Sequence, residues 1–200
     1  INYLKRIIYQ DELNAIIERN KDKEGVDFMR VLVDKEFKVN LKIHGEENIP
    51  EDGKFIFASN HPLGGLDGIC LSAHLGEKYN GKIKYLVNDV LLNIKNLESI
   101  FVPINKYGSQ AKQSAIAIND AYASENQIIT FPAGLCSRKQ NGQIKDLDWM
   151  KSFIVKAVEF ERDIIPVYFD AKNSNFFYNF ANIRKSLGMK FNIELIYLPS

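Results

Sequence analysis

Five short runs rich in Ile, Val, Phe and Tyr recur along this chain, with stretches of helical periodicity between them. The runs are "KFIFAS" (54–59), "KIKYLV" (82–87), "IFVPI" (100–104), "QIITF" (127–131) and "IIPVYF" (164–169). Helical spacing covers residues 67–79, 109–124, 149–161 and 175–187. Strands alternating with helices predict an α/β fold with a mixed, mostly parallel sheet flanked by helices. Ahead of them "FKVNLKI" (37–43) alternates apolar and polar residues, which predicts a half-buried strand. Before it, Leu4, Ile7, Ile8, Leu13, Ile16 and Ile17, then Phe28, Met29, Leu32 and Val33, follow near-helical spacing. They predict an N-terminal pair of helices, packed on the core or lying as a hairpin on a membrane surface. The expected organisation is a helical pair over 1–35 and one α/β domain over 36–200. A start at Ile1 and the apolar "IELIYLP" before Ser200 lead us to expect a chain cut short, at its C-terminus above all.

The bulk numbers narrow the function. A chain of 200 residues can bury roughly 70% of its unfolded surface, so it can hold a core without disulfides or metals. The net charge of +1 gives no global basic field, so no nucleic-acid partner is expected. Two cysteines, Cys70 and Cys136, make no disulfide framework and fit no zinc spacing. They suggest a reducing compartment, hence the cytoplasm. No apolar run approaches the ~18 residues of a membrane span, and no signal peptide is visible.

In parallel sheets ligands bind beyond the carboxyl ends of the strands. The segments there are "NHPLGGLDG" (60–68), "NKYG" (105–108), "PAGLCSRKQNG" (132–142) and "DAKNSN" (170–175). His61 and Asp67 in the first can be read in two ways. A histidine takes up a proton near neutral pH, and a carboxylate on its other nitrogen fixes the tautomer. Alternatively Pro62 ends a strand, the glycines turn the chain, and Asp67 caps a helix. No G-x-S-x-G nucleophile elbow occurs. A base without a protein nucleophile points to attack by a substrate hydroxyl.

"NHPLGGLDG" resembles the first motif, N-H-x4-D, of the glycerolipid acyltransferases, the lysophosphatidic acid acyltransferase-like family. "SIFVPINKYG" (99–108) is similar to the second motif, G-x-I-F-I-D-R, and "ITFPAGLCSR" (129–138) to the third, F-P-E-G-T-R-S. "DIIPVYF" (163–169) resembles the fourth, an apolar strand containing Pro166. All four stand in family order. The resemblance implies that fold, with His61 as general base and Asp67 as its orienter. It implies an acyl thioester donor, on acyl carrier protein or coenzyme A, with no metal and no other cofactor. It further implies a substrate-binding set of Asn60, Gly64, Gly65, Asn105, Lys106, Pro132, Gly134, Ser137 and Arg138.

The departures from the motifs bear on the acceptor. Five residues, not four, separate His61 from Asp67. That spacing is similar to a branch written N-H-P-x-G-x-x-[DE]-G, described as hemolysin-like or as O-acyltransferases completing ornithine and glycine aminolipids. Asn105-Lys106 replaces the family's Asp-Arg, Ala133 its Glu, and Leu135-Cys136 its Thr-Arg, with Arg138 two places on. Lysine is a point charge rather than a bidentate fork, so the family's phosphate site does not transfer. A lyso-aminolipid, with a hydroxyl on its acyl chain and a carboxylate head for Lys106 or Arg138, is the expected acceptor. A 1-acylglycerol-3-phosphate acyltransferase, a thioesterase and a non-catalytic lipid-binding protein stand as alternatives. The expected place is peripheral, on the inner face of the cell membrane.

Other features have plainer readings. Cys136 matches no family nucleophile, and His44 and His74 read as structural. Phe176, Phe177, Phe180, Ile183 and Leu187 predict a core-facing helix, or one meeting a bilayer edge. "RKQNGQIKDLDWMK" (138–151) predicts a mobile basic loop leading to a helix at Trp149 capped by Asp148.

Overall fold

The computed structural model describes residues 2–104 and 111–198. The predicted strands appear as β1 (Phe55–Ser59), β2 (Ile83–Val87), β3 (Phe101–Pro103), β4 (Gln127–Thr130) and β7 (Asp163–Val167). They form one five-stranded sheet in the order β3-β2-β4-β1-β7. Every pairing in it is parallel, so the antiparallel strand allowed by the sequence reading is absent from this sheet. β1 is buried along its whole length, as a strand covered on both faces must be. Helices α4 (Leu66–Lys78), α5 (Ala111–Ala123), α6 (Ser152–Glu159) and α7 (Asn175–Ser186) fall where helical spacing placed them.

One core layer packs Phe57, Tyr85, Ile129 and Phe131 against α4 and the N-terminal helices. The other packs Ile56, Ala58, Val102 and Ile128 against Tyr122, Phe153 and Ala157. The first N-terminal helix is two, α1 (Asn2–Ile7) and α2 (Gln10–Arg19), broken at Tyr9, whose φ is 52°. α3 (Gly25–Val31) continues into a π-helical turn, Leu32–Glu36. Ile16, Phe28, Met29, Leu32 and Val33 from these segments lie in the same core cluster as the sheet. No helix among the described residues is long and apolar enough to cross a membrane.

Three expectations need correction. "FKVNLKI" forms no strand: Val39 and Leu41 lean on the core, but Lys38 takes a left-handed φ of 49°, which breaks the extended run at its second residue. The mobile loop over 138–151 is instead an antiparallel hairpin, β5 (Arg138–Gln140) with β6 (Gln143–Lys145). Asn141 and Gly142 turn it with φ of 50° and 81°, the two-residue geometry that Asn-Gly favours. The following helix starts at Ser152 with Lys151 at its N-cap, not at Trp149 after Asp148.

The return from α5 to the sheet is held by one buried cation. Arg162 donates from Nε to Tyr122 O at 2.6 Å and from Nη1 to Asn126 O at 2.8 Å, and from Nη2 to Ser124 O. Arg162→Ala strips these carbonyls of their donor inside the protein. Urea unfolding of the variant is expected to show a loss of about 2–4 kcal/mol; an unchanged midpoint would contradict this assignment.

Candidate active site

β1, β4 and β7 run side by side and end together, so the chain segments leaving them meet. The loop after β1 is fastened on both sides. Asn60 Nδ2 donates to Phe169 O at 3.0 Å, and Phe169 N donates back to Asn60 Oδ1 at 2.6 Å. Ser137 N donates to His61 O at 2.8 Å, and Asn173 Nδ2 to Pro62 O at 2.8 Å. Side-chain amides thus continue the sheet's pairing past its edge, where the backbone has to turn away.

Asp67 organises this loop from inside. Its side chain is fully buried. Oδ2 accepts from Leu63 N at 2.9 Å and Gly64 N at 3.3 Å, and Oδ1 from Gly68 N at 2.8 Å. The N-cap position of α4 is Gly65, so Asp67 is not the cap that the sequence suggested but a residue of the first turn. His61 Nδ1 lies 3.1 Å from Asp67 Oδ1, close enough to pair but without the alignment of a finished hydrogen bond. Such contacts commonly tighten only when substrate is bound. The imidazole lies over Phe131 with ring centroids 4.2 Å apart, and its side chain is 12% exposed. Nε2 has no protein partner among the described residues. Beneath, the Tyr85 phenol fills the space where a Cβ on Gly68 would stand, 2.3 Å away. Burial beside the Asp67 charge pushes that phenol well above its usual range.

The other predicted site residues divide. Gly64, at φ +78°, and Gly65 form the turn between His61 and Asp67. Pro132 and Gly134 stand in the turn after β4, where Pro132 O accepts from Met150 N at 3.0 Å and Gly134 N donates to Phe131 O at 3.0 Å. Ser137 is buried and donates its hydroxyl to Asp146 Oδ1 at 2.5 Å. Arg138 is buried too, and the carboxylate it holds is internal: Nη2 meets Glu194 Oε1 at 3.0 Å. Its Nη1 donates to Cys136 O at 2.7 Å and reaches Cys136 Sγ at 2.9 Å. The structure therefore places Arg138 and Ser137 in the frame of the site, as it does Asn60. Asn105 and Lys106 lie outside the described residues.

Burial raises the Cys136 thiol above its ordinary pKa despite the neighbouring Arg138, the opposite of what a nucleophilic thiolate needs. Among the described residues no group of three or more His, Cys, Asp or Glu could hold a metal ion. His74 pairs with Glu46 at 3.4 Å, away from this loop. α7 splits: Phe177, Tyr178 and Ala181 are buried while Phe176, Ile183 and Leu187 are exposed. Ile144 of the hairpin and Trp149, Met150, Ile154, Val155 and Val158 after it are exposed, as are Lys145 and Lys151.

Sequence reasoning missed Asp146, which accepts from the main-chain N of His61 at 3.2 Å and from Trp149 Nε1 at 2.9 Å. The Asn141-Gly142 turn signals the hairpin, in which Arg138 pairs with Lys145 and Asp146 follows β6, but not the partners that Asp146 finds.

A family model described as "Acyltransferase" matches residues 1–200. The chain is 51% identical over 199 residues to a lyso-glycine lipid O-acyltransferase of Phocaeicola vulgatus, covering 99% of this chain and 71% of that protein. It is 51% identical over 199 residues to one of Bacteroides thetaiotaomicron, covering 99% and 72%. No solved structure gives a significant match.

Two stability measurements check the geometry. A Cβ at Gly64 would lie 2.9 Å from Leu198 Cδ1 and 3.1 Å from Cys136 Cβ, at a left-handed φ. Gly64→Ala is expected to cost about 1–3 kcal/mol in urea unfolding. Cys70 is raised from 9.0 to about 11, by burial first and the Asp67 charge second. The unfolded chain therefore loses this proton at lower pH than the folded one, and stability falls as pH rises from about 9 toward 11. Cys70→Ala should lessen the fall in urea midpoint across that window; equal slopes would refute the burial of this thiol.

Proposed function

Because this chain belongs to the acyltransferase family, we propose that it moves a fatty acyl group from a thioester to the hydroxyl of a lyso-aminolipid, most specifically a lyso-glycine lipid. The transfer of acyl groups follows from family membership; the acceptor reading rests on the two relatives and on the state of Arg138. A phosphate-bearing acceptor would need a free cationic fork in the third motif. Here that fork is occupied by Glu194, which argues against a phosphate head held there.

The observation that carries the mechanism is the contact between His61 Nδ1 and the buried Asp67 carboxylate at 3.1 Å. With Nδ1 turned toward Asp67, Nε2 takes the proton from the acceptor hydroxyl. The oxygen attacks the thioester carbonyl, and the thiolate leaves as the imidazolium returns a proton to it. Asp67 holds the tautomer and offsets the imidazolium charge. The developing oxyanion needs an N–H donor. Gly64 N is already bonded to Asp67 and Gly134 N to Phe131 O. Gly65 N, exposed and without an internal acceptor among the described residues, is the glycine donor left for this role.

We read the donor as acyl carrier protein or coenzyme A thioester, with no metal or further cofactor in the chemistry. The exposed apolar residues around Trp149 and Val158, with Lys145 and Lys151 beside them, support a peripheral position on the inner face of the cell membrane.

The test is product analysis by mass spectrometry. The enzyme is given long-chain acyl carrier protein or acyl coenzyme A with lyso-glycine lipid, lyso-ornithine lipid or lysophosphatidic acid. The diacylated glycine lipid is the expected main product. His61→Ala and Asp67→Asn are expected to lower kcat by about 10²–10⁴-fold. Faster acylation of lysophosphatidic acid would overturn the acceptor reading. Free fatty acid as the only product would mean a thioesterase.

A further inference from the structure

Asp146 belongs to none of the four motifs and follows β6 in a hairpin that has no catalytic group of its own. Yet its carboxylate is where three parts of the site meet. The main-chain N–H of His61 donates to Oδ1 and Oδ2 at 3.2 Å each. Ser137 Oγ donates to Oδ1 at 2.5 Å, and Trp149 Nε1 donates to Oδ2 at 2.9 Å. An ionised carboxylate is acceptor-only and has room for all of these donors. Bonds to a charged acceptor are the stronger kind.

The peptide before His61 is therefore held through its N–H by Asp146, and the peptide after it through the carbonyl, which accepts from Ser137 N at 2.8 Å. Ser137 is itself held by Asp146, so both clamps depend on one side chain. This matters because of how His61 meets Asp67. The separation is 3.1 Å but the alignment is poor. A small rotation of the backbone carrying the imidazole completes or breaks that contact.

We propose that Asp146 is a positioning residue for His61: from across the site it fixes the main chain on which the imidazole stands, and so sets the approach of His61 to Asp67 and to the acceptor hydroxyl. The proposal rests on reading His61 as the base. Asp146 touches no reacting atom. It acts on how often the base is in place rather than on how substrate binds, so it governs kcat and leaves KM alone. Misplacement of a reacting group by about 1 Å costs on the order of 10²-fold.

The experiment compares wild type, Asp146→Asn, Asp146→Glu and Ser137→Ala in the full-length enzyme. Asparagine offers one acceptor oxygen and turns an NH2 toward donors, so at least one donor loses its acceptor. Asp146→Asn is expected to lower kcat by about 10–100-fold with KM for lyso-lipid and thioester within about twofold. Asp146→Glu keeps the charge and should recover most of the loss. Ser137→Ala keeps the carboxylate on the His61 N–H and should cost only about 2–5-fold in kcat. The nitrogen-15 signals of the His61 ring, read in the free enzyme, should move in Asp146→Asn and stay near wild type in Ser137→Ala.

Folded Asp146→Asn with wild-type kcat overturns the proposal. So does a loss carried in KM with unmoved His61 signals, which would make Asp146 a binding or purely structural group. If Asp146→Asn fails to fold, Asp146→Ser decides, because it withdraws the carboxylate from the His61 N–H and leaves a short hydroxyl: wild-type His61 signals and kcat in that variant refute the role. Should His61→Ala keep wild-type activity, the base reading itself fails, while the ring signals still report separately whether Asp146 positions His61.

Discussion

A fully buried carboxylate has to be surrounded by donors, and Asp67 finds three of them in the main chain of its own loop. That requirement shapes the loop. Leu63 and Gly64 must present their N–H groups inward, so the chain turns sharply at Gly64, where a left-handed φ is needed. The turn brings His61 back to within 3.1 Å of the same carboxylate. The extra residue between His61 and Asp67 is absorbed here, in the turn. Everything further out depends on this geometry: the imidazole lies on Phe131 and the Tyr85 phenol lies under Gly68.

The frame around the loop is polar and buried, which makes it costly to disturb. Glu194 is fully buried between Arg138 at 3.0 Å and Arg184 at 2.8 Å. Removing one member of such a group leaves an uncompensated buried charge, usually a loss of several kcal/mol. The group ties the turn Ile193–Tyr197 to the hairpin strand that carries Arg138, and Arg138 also stacks on Phe177 of α7. An arginine displaced by two places from the family motif has thereby become part of the wall. A positive side chain near an active site is as readily a structural cation as a ligand for substrate, and only its partners tell which.

The α/β order and the four main helices were legible because each is a local pattern: periodicity 2 or 3.6 with Gly, Pro or polar residues between. The same logic misread "FKVNLKI". Alternation there reports an extended backbone with one side on the core, and Val39 and Leu41 do face it. It does not report strand pairing, and a left-handed φ of 49° at Lys38 interrupts the extended run. The hairpin at 138–145 was read as a mobile loop, because its strands are short and the outer one is wholly exposed, so they lack an apolar signature. Asp146 could not be found by pattern: its partners lie 85 residues back, at His61, and 9 back, at Ser137.

From the sequence alone came the class of fold, the family, and His61 with Asp67 as a pair, since these rest on short-range order and motif spacing. Tertiary structure alone decided which polar residues face the open site and which hold it together. Asn60, Ser137 and Arg138 look like ligand-binding residues in the chain, yet each already has a partner brought near by folding: Phe169, Asp146 and Glu194. The physical reason is that a buried donor must find an acceptor wherever the fold supplies one, and that supply is set by strand ends meeting at one edge of the sheet.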